Sequence, residues 1–358
     1  MIDSTQITTL RLNNQELISS GCTTVKEVVG RMGAMQAQDA AMVKWAIGIR
    51  LVGSTNQLVE QAIADGEILR THLMRPTWHY VTPEDIQWLL KLTASQIKTL
   101  LKSRDKVLEL TEQIYTQSNN IIEKALAEHG HLTRDEILPA LHTAGIPTDM
   151  NRASHLFMRA ELEGIICSGK PKTHKQTYAL LSERVSHQVN LNHDEAVVEL
   201  AQRYFRSHGP ATLNDFAWWS GLTLKDVRMA MYMLQPFLIS EKIENKVYWF
   251  APDVTSKPAN DSVHALPAYD EFLISYRDRT ASLPSEINAK AVSNNGIFRP
   301  VILVNGKVIG IWKRTIKGKL IQIETEFFQP ISTELKQNIY EALDNYLKFS
   351  NQLPISSK

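Results

Sequence analysis

One spacing recurs three times along the chain and limits what it can fold into. Gly21, Thr24 and Glu27 precede apolar Val28; Gly130, Thr133 and Glu136 precede Ile137; Gly209, Thr212 and Asp215 precede Phe216. Thr-x-x-Glu is a capping box: the hydroxyl accepts an orphan backbone N–H at a helix start, and the carboxylate reaches back to the N–H of the cap residue. Asp215, one methylene shorter, makes the third copy a weaker version. Each copy should therefore start a short helix after a tight glycine turn. Helical periodicity precedes the boxes near residues 6–19, 119–128 and 194–207, and a second helical stretch follows each. Strand-like runs close the copies: 67–74 with 77–81, 164–168 with 176–181, and 237–243 with 246–250. Helix, turn, helix, helix and hairpin is the order of a winged helix, and its recurrence indicates an internal repeat.

The expected fold class is α+β, with three tandem winged-helix domains at 1–82, 117–186 and 194–252. A helical connector fills 83–116, where leucines recur at helical spacing. A β-rich C-terminal unit with a closing helix occupies 260–350. There, Asn305-Gly306 separates strand-like residues 297–304 and 307–313, a two-residue hairpin signal. Residues 320–327 read as a further strand and 332–349 as the closing amphipathic helix.

Charge bears on what such a fold would bind. The 358 residues carry a net charge of only +1, so any nucleic-acid surface must be local. Residues 297–327 hold six Lys or Arg (Arg299, Lys307, Lys313, Arg314, Lys317, Lys319) against Glu324 and Glu326. The second hairpin tip holds Lys170, Lys172, His174 and Lys175 without an acid. Solvated hairpin tips are often basic, but two such patches beside three winged helices favour phosphate contact. Cys22 and Cys167 are the only cysteines, too few for a metal or disulfide framework. The N-terminus lacks a leader, and Lys44 and Arg50 interrupt the best apolar run, so a cytoplasmic, nucleoid-associated protein with no membrane partner is expected. His129-Gly130-His131 has no third ligand at zinc spacing. Phosphate-loop, dinucleotide and nucleophile motifs are missing, and neither metal nor cofactor is expected.

The polar centre of Arg31–Arg50, RMGAMQAQDAAMVKWAIGIR, stands out against this background. Gln36, Gln38 and Asp39 sit among methionines, alanines, Val43, Trp45 and Ile47. A buried amide without partners costs roughly 1–3 kcal/mol. On a helix, residues two apart point in nearly opposite directions, whereas on extended chain they share a face. Either the glutamines are ordinary helix-surface residues, or they act together and the chain leaves helical geometry near Met35. The first hairpin, with His72, Arg75, Trp78 and His79, is also rich in donors. In a strand, Arg70, His72 and Met74 would share one face.

The stretches MQAQDAAMVKWAIGIR, LRTHLMRPTWHYV, GPATLNDFAWWSGL and LPAYDEFLISYRDR, in that order, resemble the AlkZ/YcaQ-like family of winged-helix proteins. The resemblance covers nearly the whole chain. It implies three tandem winged helices with a β-rich C-terminal part, and a DNA glycosylase acting on N7-alkylated purines and interstrand crosslinks. It makes Gln36 and Gln38 the catalytic Gln-x-Gln pair. A second branch carries Gln-x-Asp, so Gln38 places the chain nearer the crosslink-unhooking type, and Asp39 is not the position of that aspartate. The expected partner is double-stranded DNA with alkylated bases, bound by a monomer. Arg50, His72, Arg75, Lys170, Lys172, Lys175, Arg277, Arg279, Lys307, Lys313 and Arg314 are the candidate DNA contacts. A winged-helix regulator without catalysis and a protein-binding scaffold are the competing classes.

Overall fold

The computed structural model describes residues 3–354 apart from 174, 244, 254–256, 319 and 352. Expected basic residues His174 and Lys319 therefore lie outside the described residues, as does the side chain of Lys317. The chain is a mixture of helices and small, mainly antiparallel sheets and divides into two compact units. One comprises Met1–Glu60, Val198–Trp219 and Thr223–Lys358, the other Gln61–Val197 with Ser220–Leu222. The boundary after Glu60 falls inside the helix Asn56–Asp65.

All three boxes form. Thr24 and Glu27 bond reciprocally at the start of Val25–Met32, and Thr133 and Glu136 do so at Arg134–Thr143. At Leu213–Ser220 the Thr212 N–H reaches Asp215 Oδ2 at 2.9 Å, and the Asp215 N–H reaches Thr212 Oγ1 at 3.2 Å. The third box is not the weak one. Asp215 is fully buried, and its other oxygen accepts the backbone N–H groups of Arg277 and Asp278 at 2.9 and 3.1 Å.

In the second unit, Glu112–His129, Arg134–Thr143 and Arg152–Leu162 precede strands Ile166–Ser168 and Thr177–Leu180. The short strand Leu132–Thr133, just after the box glycine, pairs with Thr177–Leu180. Ile122, Leu126, Ile137, Leu141, Leu156, Phe157 and Ile166 make the core there. The connector is a single helix, Pro83–Val107, with Pro83 in its first turn followed by Glu84 and Asp85, where acids suit the helix dipole. The hairpin Leu69–Leu73 with Thr77–Val81 also belongs to this unit.

His193–Ser207, Leu213–Ser220 and Leu224–Leu234, which lie mostly in the first unit, precede its hairpin Ile239–Ile243 with Lys246–Phe250, repeating the order. The N-terminal copy departs from it. Between its box helix and Asn56–Asp65 stand a strand, Met35–Gln36, and an additional helix, Met42–Gly48. The C-terminal sheet runs, in spatial order, 353–354, 320–327, 307–317, 301–304 and 263–266, with helix Thr333–Ser350 after it in sequence. Asn305 and Gly306 turn the hairpin with positive φ at both residues, as a tight mirror-type turn requires. A Cβ on Gly306 would stand 2.6 Å from that of Thr8, so glycine also lets the turn approach the helix Ser4–Asn14. Among the described residues no helix is long and apolar enough to cross a membrane.

Thr133→Ala removes one half of a formed box and should lower stability by about 1 kcal/mol. A urea titration followed by circular dichroism should show an earlier midpoint with the native spectrum unchanged.

Candidate active site

Local chemistry takes the glutamines off the helix. Val25–Met32 ends at Gly33, whose φ of +76° suits glycine and whose Cα side faces Trp219 and Arg203. Strand Met35–Gln36 follows. Asp39 then turns the chain toward the helix Met42–Gly48: its Oδ1 accepts the N–H groups of Ala41 and Met42, both at 3.0 Å. Gln36 and Gln38 thus lie on non-helical chain between two helices. Gln36 is buried and Gln38 is exposed, so the pair has an inner and an outer member. The helix-surface alternative is excluded.

The inner member is held by a carboxylate from the far end of the sequence. The Gln36 N–H donates to Glu271 Oε1 at 2.6 Å. Glu271 Oε2 accepts the Trp219 indole N–H at 3.1 Å and the Ser275 hydroxyl, and His208 Nε2 stands 3.7 Å away. Burial pushes the Glu271 carboxyl up, but His208, Ser275 and the Gln36 N–H outweigh it and hold the group at about 2. Burial pushes His208 below its ordinary value, and its Nδ1 bonds Ser207. The cluster therefore presents an anionic carboxylate and a neutral imidazole near neutral pH.

The neighbouring residue anchors the other end of the stretch. Asp270 takes both terminal nitrogens of Arg50 at 2.8 Å, with each side chain almost wholly buried. Arg50 also donates to Gln15 and to the Ala46 carbonyl. Gln15 passes the network to the Tyr276 hydroxyl, which donates to the His208 carbonyl at 2.7 Å. Trp45 and Trp312 donate to the carbonyls of Ala265 and Leu266, fixing the strand that leads to Asp270.

This geometry corrects two expected DNA contacts. Arg50 is fully buried in its pair with Asp270 and cannot reach a phosphate. His72 is buried as well, bonded through Nδ1 to Glu161 and packed 4.2 Å from the Trp78 ring centre. The cause is that strand Leu69–Leu73 is buried at every position, so its polar residues turn to partners inside the protein. Arg70 likewise lies over Trp78 and donates to Gln176. Arg75 is half-buried.

The remaining cations sort by exposure and partner. Lys170 is exposed; Lys172 and Lys175 are exposed but paired with Glu136 and Asp135 of helix Arg134–Thr143. That tip, acid-free in sequence, is partly neutralised in space. Arg277 is exposed, while Arg279 lies near the rings of Trp218 and Phe298 and donates to the Leu273 carbonyl. Lys307 donates to the Ala281 carbonyl, Lys313 pairs with Glu324, and Arg314 bonds the Tyr346 hydroxyl. Among the described residues no group of three His, Cys, Asp or Glu could hold a metal ion. Sequence reasoning missed Glu271, Asp270, His208 and Trp219 as parts of the site. Three of them lie in stretches already singled out for resemblance (LPAYDEFLISYRDR and GPATLNDFAWWSGL), which was their sole signal.

A family model described as DNA glycosylase AlkZ-like matches residues 29–349. An interstrand DNA cross-link repair glycosylase of Streptomyces sahachiroi is 22% identical over 331 residues, covering 86% of this chain and 87% of that protein. The solved structure of Streptomyces sahachiroi DNA glycosylase AlkZ has the same fold, with a TM-score of 0.80 at 18% identity and 99% of each chain covered.

Glu271 titrates near 2 in the folded protein and about 4.3 when unfolded. Its contribution to stability is therefore present above the unfolded value and lost as pH falls toward 2. Glu271→Gln should flatten the fall in stability across that acid window, measured as denaturation midpoints from pH 5 down. An unaltered slope would mean the carboxylate is not held as described.

Proposed function

This chain belongs to the AlkZ-like DNA glycosylase family and is a DNA glycosylase, and we propose that it hydrolyses the N-glycosidic bond of cationic, N7-alkylated purines through Gln36 and Gln38. The observation that carries the reading is the placement of the pair: Gln38 exposed, with Gln36 two residues before it locked to a buried carboxylate.

The chemistry follows from what an amide can do. A neutral glutamine is no useful proton acceptor, so an unactivated purine would leave too slowly. N7-alkylguanine already carries a positive charge. As its bond to C1′ breaks, the electron pair passes to the base and neutralises it without acid. Water then bonds to C1′ and releases a proton, leaving an abasic sugar and neutral alkylguanine. The protein must orient that water and stabilise the developing oxocarbenium ion, and fixed carbonyl dipoles do both. Gln38 holds the water, and Gln36 assists and faces the sugar cation. The Streptomyces relative named for cross-link repair extends the proposal to interstrand crosslinks, which are too bulky for a tight base-flipping pocket.

We read the three box-and-hairpin assemblies, near residues 1–82, 117–186 and 194–252, as winged helices gripping duplex DNA as a monomer in the nucleoid. Exposed Lys170 and Arg277 suit sequence-independent phosphate contact. Partly engaged Lys172, Lys175, Lys313, Arg75, Arg279, Lys307 and Arg314 would add to it by exchanging partners.

The test uses duplex DNA with one N7-methylguanine and alkaline cleavage of abasic sites. Gln38→Ala should lose about ten- to a thousandfold in excision rate while keeping lesion-DNA affinity. Gln36→Ala should lose less, and Gln38→Asp should keep part of its activity on this simple lesion. If all three variants excise like the wild type, with unchanged melting, the catalytic assignment fails.

A further inference from the structure

We propose that Glu271 is a positioning residue for the hydrolysis: its carboxylate sets the direction of the Gln36–Gln38 backbone and so aims both amides. The inference rests on the function proposed above and adds a residue outside the glutamine motif. The bond goes to the motif itself, because the donor is the Gln36 N–H at 2.6 Å. The acceptor cannot swing. While Oε1 serves Gln36, Oε2 is held by the Trp219 indole and the Ser275 hydroxyl.

Glu271 is also an expensive way to fill space. Burying a carboxylate carries a desolvation cost that well-packed apolar residues would not, and Glu271 is about 1% exposed. Asp270 beside it has a full counter-charge in Arg50. The neighbours of the Glu271 carboxylate among the described residues are a backbone N–H, an indole, a hydroxyl and His208. That donor set fixes orientation. An amide in its place could not satisfy it: Glu271→Gln presents an N–H₂ group either to Trp219, a donor only, or to the Gln36 N–H.

The experiment is a double-mutant cycle in single-turnover excision of N7-methylguanine from duplex DNA. Glu271→Gln should slow the chemical step by about tenfold or more with affinity for the lesion duplex unchanged. In a Gln38→Ala background the same substitution should cost less than about threefold, because the water-holding amide of the two it aims is gone. Ser275→Ala, which removes one of the two bonds to Oε2 without removing the charge, should give a smaller loss with the same dependence on Gln38. It also serves if Glu271→Gln does not fold. Amide exchange at Gln36 should speed up in both Glu271→Gln and Ser275→Ala. Equal losses with and without Gln38, or a wild-type rate in well-folded Glu271→Gln, would overturn the positioning role. A wild-type enzyme that excises nothing would instead overturn the proposed function, and the catalytic meaning of the contact with it.

Discussion

Two adjacent buried carboxylates, Asp270 and Glu271, hold the central stretch of this protein in place. Asp270 takes the guanidinium of Arg50 and Glu271 takes the backbone N–H of Gln36, so the stretch from strand to helix is fixed at two points by one dipeptide. The tie to Arg50 is the stronger commitment. A buried ion pair that loses one partner costs about 3–5 kcal/mol, so Arg50 and Asp270 are retained or lost together. Around them, Gln15, Tyr276 and His208 extend the network from the first helix to the residues just before the third capping box. Asp215 of that box then holds Arg277 and Asp278, a few residues beyond the dipeptide.

The consequence for function is a site whose polar groups at the motif are amides. A protonated acid would let an enzyme expel neutral purines; in the mechanism proposed above, two glutamines leave that work to the substrate's own charge. Under that proposal selectivity for damaged DNA arises from leaving-group chemistry, with no need for a pocket that distinguishes bases by shape. The same reasoning accounts for the anchoring. Dipoles contribute to a transition state only if they need not reorganise, and a strand residue held by a rigid carboxylate meets that condition.

Much of the architecture was legible in the sequence because it is written in local chemistry. Thr24, Thr133 and Thr212 cap helices through contacts three residues long, and Asn305-Gly306 sets its own turn. The departure from helical geometry at Met35 was left open by the sequence, and the structure decides it: Gly33 ends one helix, and the Asp39 side chain bonds the N–H groups of Ala41 and Met42 at the entry to the next. Arg50 and His72 misled for a shared reason. Charged residues are usually exposed, and the partners that bury these two, Asp270 and Glu161, lie 220 and 89 residues away. Acidity opposite Lys172 and Lys175 was hidden in the same way, on helix Arg134–Thr143. No spacing rule reveals a carboxylate 235 residues from the N–H it accepts.

The central claim is that neutral amides restrict this enzyme to bases that already carry positive charge. The most direct measurement compares wild-type excision from two otherwise identical duplexes, one holding N7-methylguanine and one holding a neutral oxidised or deaminated base. Rapid release of the cationic base with none of the neutral one is the predicted result. Comparable release of both would contradict the account, because it would require an acid or base that Gln36 and Gln38 do not supply.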